Sequence, residues 1–260
     1  MDKPAAVIRD LEELSLNAWP GLKTVCLDGW LLRFADRYTR RANSVNPLYP
    51  SRHSSDLLEK IAYCETLYAR TLGQDVVFKM TDAAEPGHLD GVLAARGYCR
   101  EADTSVLTRH MGDSSAPDVS GRQLLVSLHP SEEWLAACCE LANVQVHYRP
   151  VLMQMLDNIV SPSTAFALLR SGNSTAAVGM AVVERGHMGL FDINTAPQWR
   201  RKGMGTQLVG ALLSWGQDQG AYRAYLQVMQ DNEAALRLYA KLGFSEAYTY
   251  WYRVKTKEAI

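Results

Sequence analysis

The chain reads as an α/β fold, and three stretches carry that expectation. An apolar extended run, Met188–Asn194, leads through a basic, glycine-bearing turn into a helical pattern at Gln207–Trp215. An alternating stretch, Tyr222–Val228, is followed by a helical segment from Asp231 that stops at Gly243-Phe244, and then by the extended run Tyr250–Val254. The same order of strand, helix, glycine-aromatic stop and strand occurs earlier, as Asp75–Met80, Leu89–Tyr98 and Thr104–Thr108. Ahead of these lies a further helix, Asp56–Thr71.

The turn Thr195-Ala-Pro-Gln-Trp-Arg-Arg-Lys-Gly-Met-Gly-Thr206 has the makings of an anion cradle. Its amides precede a helix N-terminus, where orphan N–H groups and the macrodipole favour negative charge. Gly203 and Gly205 let the backbone approach a ligand closely. Arg200, Arg201 and Lys202 add positive charge suited to phosphates. A phosphate-bearing cofactor is therefore expected, although a basic helix start with a solvated face explains the same residues. Neither G-x-x-x-x-G-K-[ST] nor G-x-G-x-x-G after a strand is present, which disfavours P-loop nucleotidases and dinucleotide-binding turns.

Arg200, Gly203 and Gly205 match the R/Q-x-x-G-x-G/A turn of the GNAT superfamily of acyl-CoA-dependent N-acyltransferases. Asn232, Ala235, Leu238, Tyr239, Gly243 and Phe244 match its N-x-x-A-x-x-L-Y-x-x-x-G-F element. The order and spacing of the two agree, so residues 122–260 resemble this superfamily. The resemblance implies a GNAT fold, a mixed central sheet flanked by helices. It implies acetyl-CoA as co-substrate and direct attack by an amine. Two parallel strands, here Leu190–Thr195 and Tyr222–Val228, would splay apart. The exposed backbone of Ile193, Asn194 and Thr195 would pair with the pantetheine arm. The pyrophosphate would sit on the amides of Arg201, Lys202, Gly203, Met204, Gly205 and Thr206, beside Arg200. Tyr239 would protonate the leaving thiolate, or else serve as an amphipathic core residue. Asn232 would touch the cofactor arm or act mainly as a helix cap.

Some relatives place a glutamate on the strand before the turn, where this chain has Gly189. Asp192 and Glu184 are the nearby carboxylates, and Asp192 is the expected base. Acceptor contacts are expected from His147 and Tyr148, with Arg149, in the segment after the helix Ser131–Leu141. Ser131 can cap that helix, although Trp134 replaces the usual glutamate of a capping box. The C-terminal strand Tyr248–Arg253 alternates its aromatics between two faces.

The polar, proline-bearing run 112–121 reads as a linker between a first domain, 1–111, and a catalytic domain, 122–260. Aligning Gly97-Tyr98 with Gly243-Phe244 sets Leu93 opposite Tyr239, and the first half has no basic glycine turn. Two tandem GNAT-like domains are therefore expected, the first degenerate. In that half Asp28–Arg33 reads as one strand and Arg40–Val45 as its partner, a hairpin that could carry Arg33, Arg41 and Asn43 toward a pocket. The stretch D-G-W-x-L-R … R-A-N-S-V resembles one shared by tandem acetyltransferases. A core hairpin with hydrogen-bonded buried polar groups explains these residues equally well.

Composition fits a soluble enzyme. The 260 residues carry 27 Lys and Arg against 28 Asp and Glu, so net charge points to neither nucleic acid nor an anionic membrane. No apolar run approaches the ~20 residues of a membrane span. The five cysteines form no C-x-x-C pair and the six histidines no H-x-x-x-H pair. A cytoplasmic protein without a structural metal is expected, as a monomer or homodimer. The function predicted is N-acetyl transfer to a primary amine of a small molecule, amino acid or peptide. A non-catalytic acyl-CoA-binding regulatory module is the alternative, and the acceptor itself has no sequence code.

Overall fold

A computed structural model of the chain describes residues 5–51, 56–112 and 122–260. The expected linker, apart from Gly112, lies outside the described residues. In chain order the elements are α1 (Ala5–Ala18), β1 (Lys23–Leu27), β2 (Trp30–Phe34), β3 (Val45–Pro47), α2 (Leu57–Glu65), β4 (Val76–Thr81), α3 (Leu89–Ala95) and β5 (Cys99–His110). The second half continues with β6 (Gln123–Ser127), α4 (Glu132–Leu141), α5 (Arg149–Asp157), β7 (Ser163–Ser171), β8 (Ser174–Glu184) and β9 (His187–Thr195). It closes with α6 (Met204–Asp218), β10 (Arg223–Met229), α7 (Glu233–Lys241) and β11 (Ser245–Lys255). The α/β alternation expected from the sequence is present.

Two compact units divide this chain, and they interleave. The first takes residues 1–105, 151–159 and 247–260; the second takes 106–150 and 160–246. Each sequence half thus gives the end of its last strand, β5 or β11, to the unit built mainly by the other.

In the first unit the strand order is β1-β2-β3-β4-β11. β1 and β2 form a hairpin whose turn is Asp28-Gly29, both with positive φ. Asp28 and Gly29 therefore belong to a turn and not to the strand expected at 28–33. The partner of β2 on its other side starts only at Val45, because Arg40–Ala42 coil into a 3-10 turn. β4 is buried along its whole length. Its Lys79 reaches Glu12 of α1 at 2.5 Å, and that carboxylate also accepts from the Tyr248 hydroxyl at 2.7 Å. A buried charge is tolerable only when it is paired and hydrogen-bonded in this way.

In the second unit the order is β10-β9-β8-β7-β6, antiparallel except for the parallel pair β9–β10. Alternation sends Met188 and Leu190 of β9, and Ala224, Leu226 and Val228 of β10, into one core with Leu208 and Leu212 of α6 and Tyr239 of α7. The opposite face carries α4, whose N-terminus is capped by Ser131 Oγ accepting from Trp134 N at 3.1 Å. Trp134 is 1% exposed, meets Phe166 edge-on, and donates its indole N–H to the carbonyls of Ala167 and Gly179 at 3.2 and 3.1 Å. That bond fixes the register of α4 over β7 and β8.

Gly179 has a second role. The β8–β9 register shifts between Val178↔Asn194 and Met180↔Phe191, so two residues of β9 oppose this single glycine. A Cβ at 179 would strike Ile193 Cδ1 and lie 3.3 Å from Leu208 Cδ2. Gly179→Ala is expected to cost about 1–3 kcal/mol through overpacking, read as a lower urea midpoint with unchanged m-value. In the first unit, Asn43 Oδ1 accepts from Ala35 N at 2.7 Å and Arg37 N at 3.1 Å. Asn43→Ala leaves both donors without this acceptor, and the same titration should show a loss of about 2–4 kcal/mol.

Candidate functional site

The site starts from the bulge in β9. Along this strand Gly189 and Phe191 face α4 while Met188 and Leu190 face α6. The extra residue interrupts the alternation, so Asp192 follows Phe191 onto the α4 face and Ile193 returns to the α6 core. Asp192 takes φ +50 to do so, a left-handed conformation that is uncommon for a non-glycine residue. Such strain concentrates at functional positions. The parallel ladder with β10 ends at the same level, its last pair being Leu226↔Leu190. Beyond it Phe191–Thr195 and Gln227–Met229 run on without ladder partners in each other. The ladder between these two strands stops where the sequence expects them to splay.

The basic turn closes the far end of that splay. Pro197–Trp199 form a 3-10 turn, Arg200 is extended, Arg201 has φ +59 and Gly203 has φ +81. Gly203 caps α6 with open space around its missing Cβ, so its amide and its neighbours' can be reached from outside. Gly205 is buried, and a Cβ there would lie 2.8 Å from Leu238 Cδ1 and 3.4 Å from Thr195 Oγ1. A side chain at 205 would displace the end of Leu238 on α7, and Gly203 takes a left-handed backbone that favours glycine.

The side chains of the turn sort differently from its amides. Arg200 Nε donates to Thr195 O at 3.3 Å, Lys202 lies over the Trp199 ring at 5.1 Å, and Arg201 and Thr206 are exposed. Met204 is buried in the core. Asn194 Nδ2 donates to Asp192 O at 3.1 Å, bracing the bulge. Asn232 Oδ1 accepts from Ala235 N at 3.2 Å, so its cap role is realised. Tyr239 is 7% exposed on α7, meets Phe244 edge-on, and lies in the α6 core; burial pushes its phenol up to about 12. The helix stops at Gly243, with φ +80.

The α4 side holds the remaining second-half candidates. Asp192 is close enough to the buried thiols of Cys138 and Cys139 to raise both, after burial itself, and Arg149 acts on Cys139 in the opposite sense. His147 and Tyr148 share the 3-10 turn before α5, their rings 4.0 Å apart. Gly189 does not leave a hole: Phe191 and the Tyr225 hydroxyl occupy the space where a side chain would begin, at 2.6 Å from an added Cβ. Glu184 sits by the β8–β9 turn, paired with Arg185 at 3.4 Å, and is not at the bulge.

Two acceptor candidates are corrected. Arg33 is 3% exposed and spends its guanidinium on the carbonyls of Arg41, at 2.7 Å, of Leu16, at 3.1 Å, and of Trp19. Burial lowers its pKa to about 10. Asn43 satisfies Ala35 and Arg37 through Oδ1, and donates Nδ2 to Thr39 O at 2.8 Å and Ala35 O at 3.3 Å. Both hold the turn between β2 and β3 together: Asn43 uses both Nδ2 hydrogens within it, and Arg33 is buried and bound to three carbonyls there. Arg41 covers the Trp19 ring at 4.8 Å. Sequence reasoning had missed Gly179, Trp134, Phe191 and Tyr225. A glycine inside an alternating strand was the signal available for the bulge.

Comparison with known proteins agrees with this geometry. The family described as probable histone acetyltransferase Rv0428c C-terminal matches residues 5–253. An uncharacterized N-acetyltransferase of Bacillus subtilis, YobR, is 31% identical over 95% of this chain and 98% of its own length. The probable histone acetyltransferase Rv0428c of Mycobacterium tuberculosis is 30% identical over 92% of this chain and 71% of its own. Among solved structures, a GCN5-related N-acetyltransferase from Kribbella flavida superposes with TM-score 0.69 at 18% identity, covering 98% of this chain and 96% of that one. A tandem GNAT protein from the clavulanic acid biosynthesis pathway gives 0.67 at 12% identity, covering 95% and 88%. Among the described residues no helix is long and apolar enough to cross a membrane. The chain belongs to the family of the Rv0428c C-terminal region, and with it to the GNAT acetyltransferases, enzymes that acetylate amines from acetyl-CoA.

Proposed function

We propose that the second unit holds acetyl-CoA between the splayed ends of β9 and β10 and passes its acetyl group to an amine by direct attack. The observation that carries this is the end of the parallel ladder at Leu190↔Leu226, beside an open Gly203 turn. The site's chemistry fits the group: unpaired strand edge for an amide-bearing arm, and helix-start amides with Arg200, Arg201 and Lys202 for phosphates. Ile193, Asn194 and Thr195 supply the edge; Gly203, Met204, Gly205 and Thr206 supply the amides. Asn232 stays occupied as a cap and contributes through its position at the start of α7.

Acetyl-CoA, when bound, supplies an activated thioester. The residues of the chain manage the protons and charge around it. Asp192 takes the proton of the acceptor ammonium, which frees the nitrogen lone pair to form the N–C bond. Backbone N–H groups at the bulge face the negative charge that develops on the carbonyl oxygen. As the C–S bond breaks, Tyr239 meets the thiolate. Its phenol, at about 12, is fully protonated at neutral pH and well above the ~8.5 of a simple thiol. Complete transfer to the thiolate would run uphill by about 3.5 pH units, so the hydroxyl acts foremost as a hydrogen-bond donor.

The first unit is assigned a non-catalytic, degenerate GNAT-like role. β3 and β4 share a single ladder pair, Val45↔Phe78, yet the edge beyond it is already used: Pro47 O accepts from Glu85 N at 2.9 Å. Leu93, fully buried, aligns with Tyr239 when Gly97-Tyr98 is set against Gly243-Phe244. The unpaired state of all five cysteines is in keeping with a reducing, cytoplasmic setting.

Thiol release from acetyl-CoA across a panel of amines tests the reading. Tyr239→Phe should lower kcat about 10- to 150-fold, the worth of a hydrogen bond to a charged group, with little change in CoA affinity. CoA binding without release on any amine would favour the binding-module alternative. Asp192→Asn should depress kcat/KM most at neutral pH and progressively less as pH rises toward the amine's own pKa. An amine already deprotonated in solution needs no carboxylate to receive its proton, so a pH-independent defect would remove Asp192 from proton transfer.

A further inference from the structure

We propose that Asn194 is a positioning residue for acetyl transfer: its side-chain amide locks the Asp192–Ile193 peptide and thereby sets the direction of the Asp192 carboxylate. This deepens the transferase reading and rests on it. The role belongs to the side chain of Asn194, whereas a cofactor arm would use the backbone of the same residue.

Phe191 fills the space over Gly189 on the α4 face, while Ile193 lies against Gly179 and Leu208 in the α6 core. Residues two apart on a regular strand share a face. The chain has therefore been turned over between them, at Asp192. That residue has φ +50, against about −120° to −140° in a regular strand. A left-handed residue is uphill for an L side chain, even for aspartate, which tolerates it better than most. On one side the packing of Ile193 holds the turned segment in place. On the other, Asn194 Nδ2 donates to Asp192 O at 3.1 Å.

The second hold is specific to the bulge. Asn194 is the residue at which β9 regains its ladder with β8, opposite Val178, so the bond ties the end of the bulge to its beginning. In a regular strand, residues two apart are separated by about 6.6 Å along the axis, and their side chains stand roughly perpendicular to the sheet. An asparagine there does not reach back to the carbonyl two residues before it. The bond and the left-handed Asp192 thus support each other. Only the Nδ2 end can face a carbonyl favourably, since Oδ1 is itself an acceptor. The peptide is planar, so fixing the Asp192 carbonyl fixes the rotation about the adjoining Cα and with it the bearing of the Asp192 side chain.

The test is a double-mutant cycle on the full chain, with acetyl-CoA and the amines of the release panel. Asn194→Ala removes the donor and adds no charge. It should lower kcat/KM for the amine about 3- to 10-fold, the worth of one hydrogen bond, while the KM for acetyl-CoA holds. The defect should shrink as pH rises toward the amine's own pKa, and Asn194→Gln, which keeps a donor, should recover part of the loss. In an Asp192→Asn background, Asn194→Ala should cost nothing further, because the group it positions is gone. Should Asn194→Ala not fold, Asn194→Ser goes through the same cycle. Equal losses in the two backgrounds, or an undiminished kcat/KM in Asn194→Ala, would overturn the assignment and leave the transferase reading standing. An Asp192→Asn protein as active as the parent would overturn it together with the base role of Asp192. No amine-dependent release by the parent protein would overturn the transferase reading as well.

Discussion

The second unit depends on one irregularity, two residues of β9 set against Gly179. Without it, alternation would send Asp192 into the hydrophobic core with Leu190 and turn Ile193 toward α4. With it, a carboxylate reaches the α4 face and an aliphatic side chain fills the core at the same level. The cost is local: a left-handed aspartate, a position where a Cβ would crowd Ile193, and a carbonyl at Gly179 beside an irregular ladder. Trp134 repays that last cost by donating its indole N–H to Gly179 O. The tryptophan that anchors α4 thereby also ties this helix to the strand opposite the bulge.

Much of the remaining geometry follows from how β9 and β10 part. Parallel strands that diverge leave backbone groups that must find partners elsewhere. In the second unit those groups border an open glycine turn, where a ligand can supply the partners. In the first unit the corresponding edge beyond β3 is met by the chain itself, through Glu85 N. The difference between an open and a closed strand edge thus lies in the residues that follow the strands, more than in the strands.

The sequence made the local elements readable and left their assembly obscure. Gly203, Gly205, Asn232 and Gly243 each serve a backbone need that is expressed within a few residues, so their turns and caps are visible in the string. The placement of Asp192 is set by a register shift against a strand eight or more residues away, and no periodicity in β9 alone reports it. Arg33 and Asn43 looked like pocket residues because polar side chains in an apolar hairpin are ambiguous. Only the carbonyls and amides around them showed that both side chains are bound into the hairpin's own backbone. Glu184 was near in sequence and far along the strand, while Tyr225, on the next strand, covers the space above Gly189.

The interleaving of the two units bears on how the chain reaches this fold. The first unit cannot complete its sheet until residues 247–260 exist, and these are synthesised after every other part of that unit. For most of translation its β4 therefore has an unmet edge on the side that β11 will take. Cutting the chain between 112 and 122 would yield two fragments, each holding a strand that the other needs. Neither sequence half then holds the whole of a compact unit.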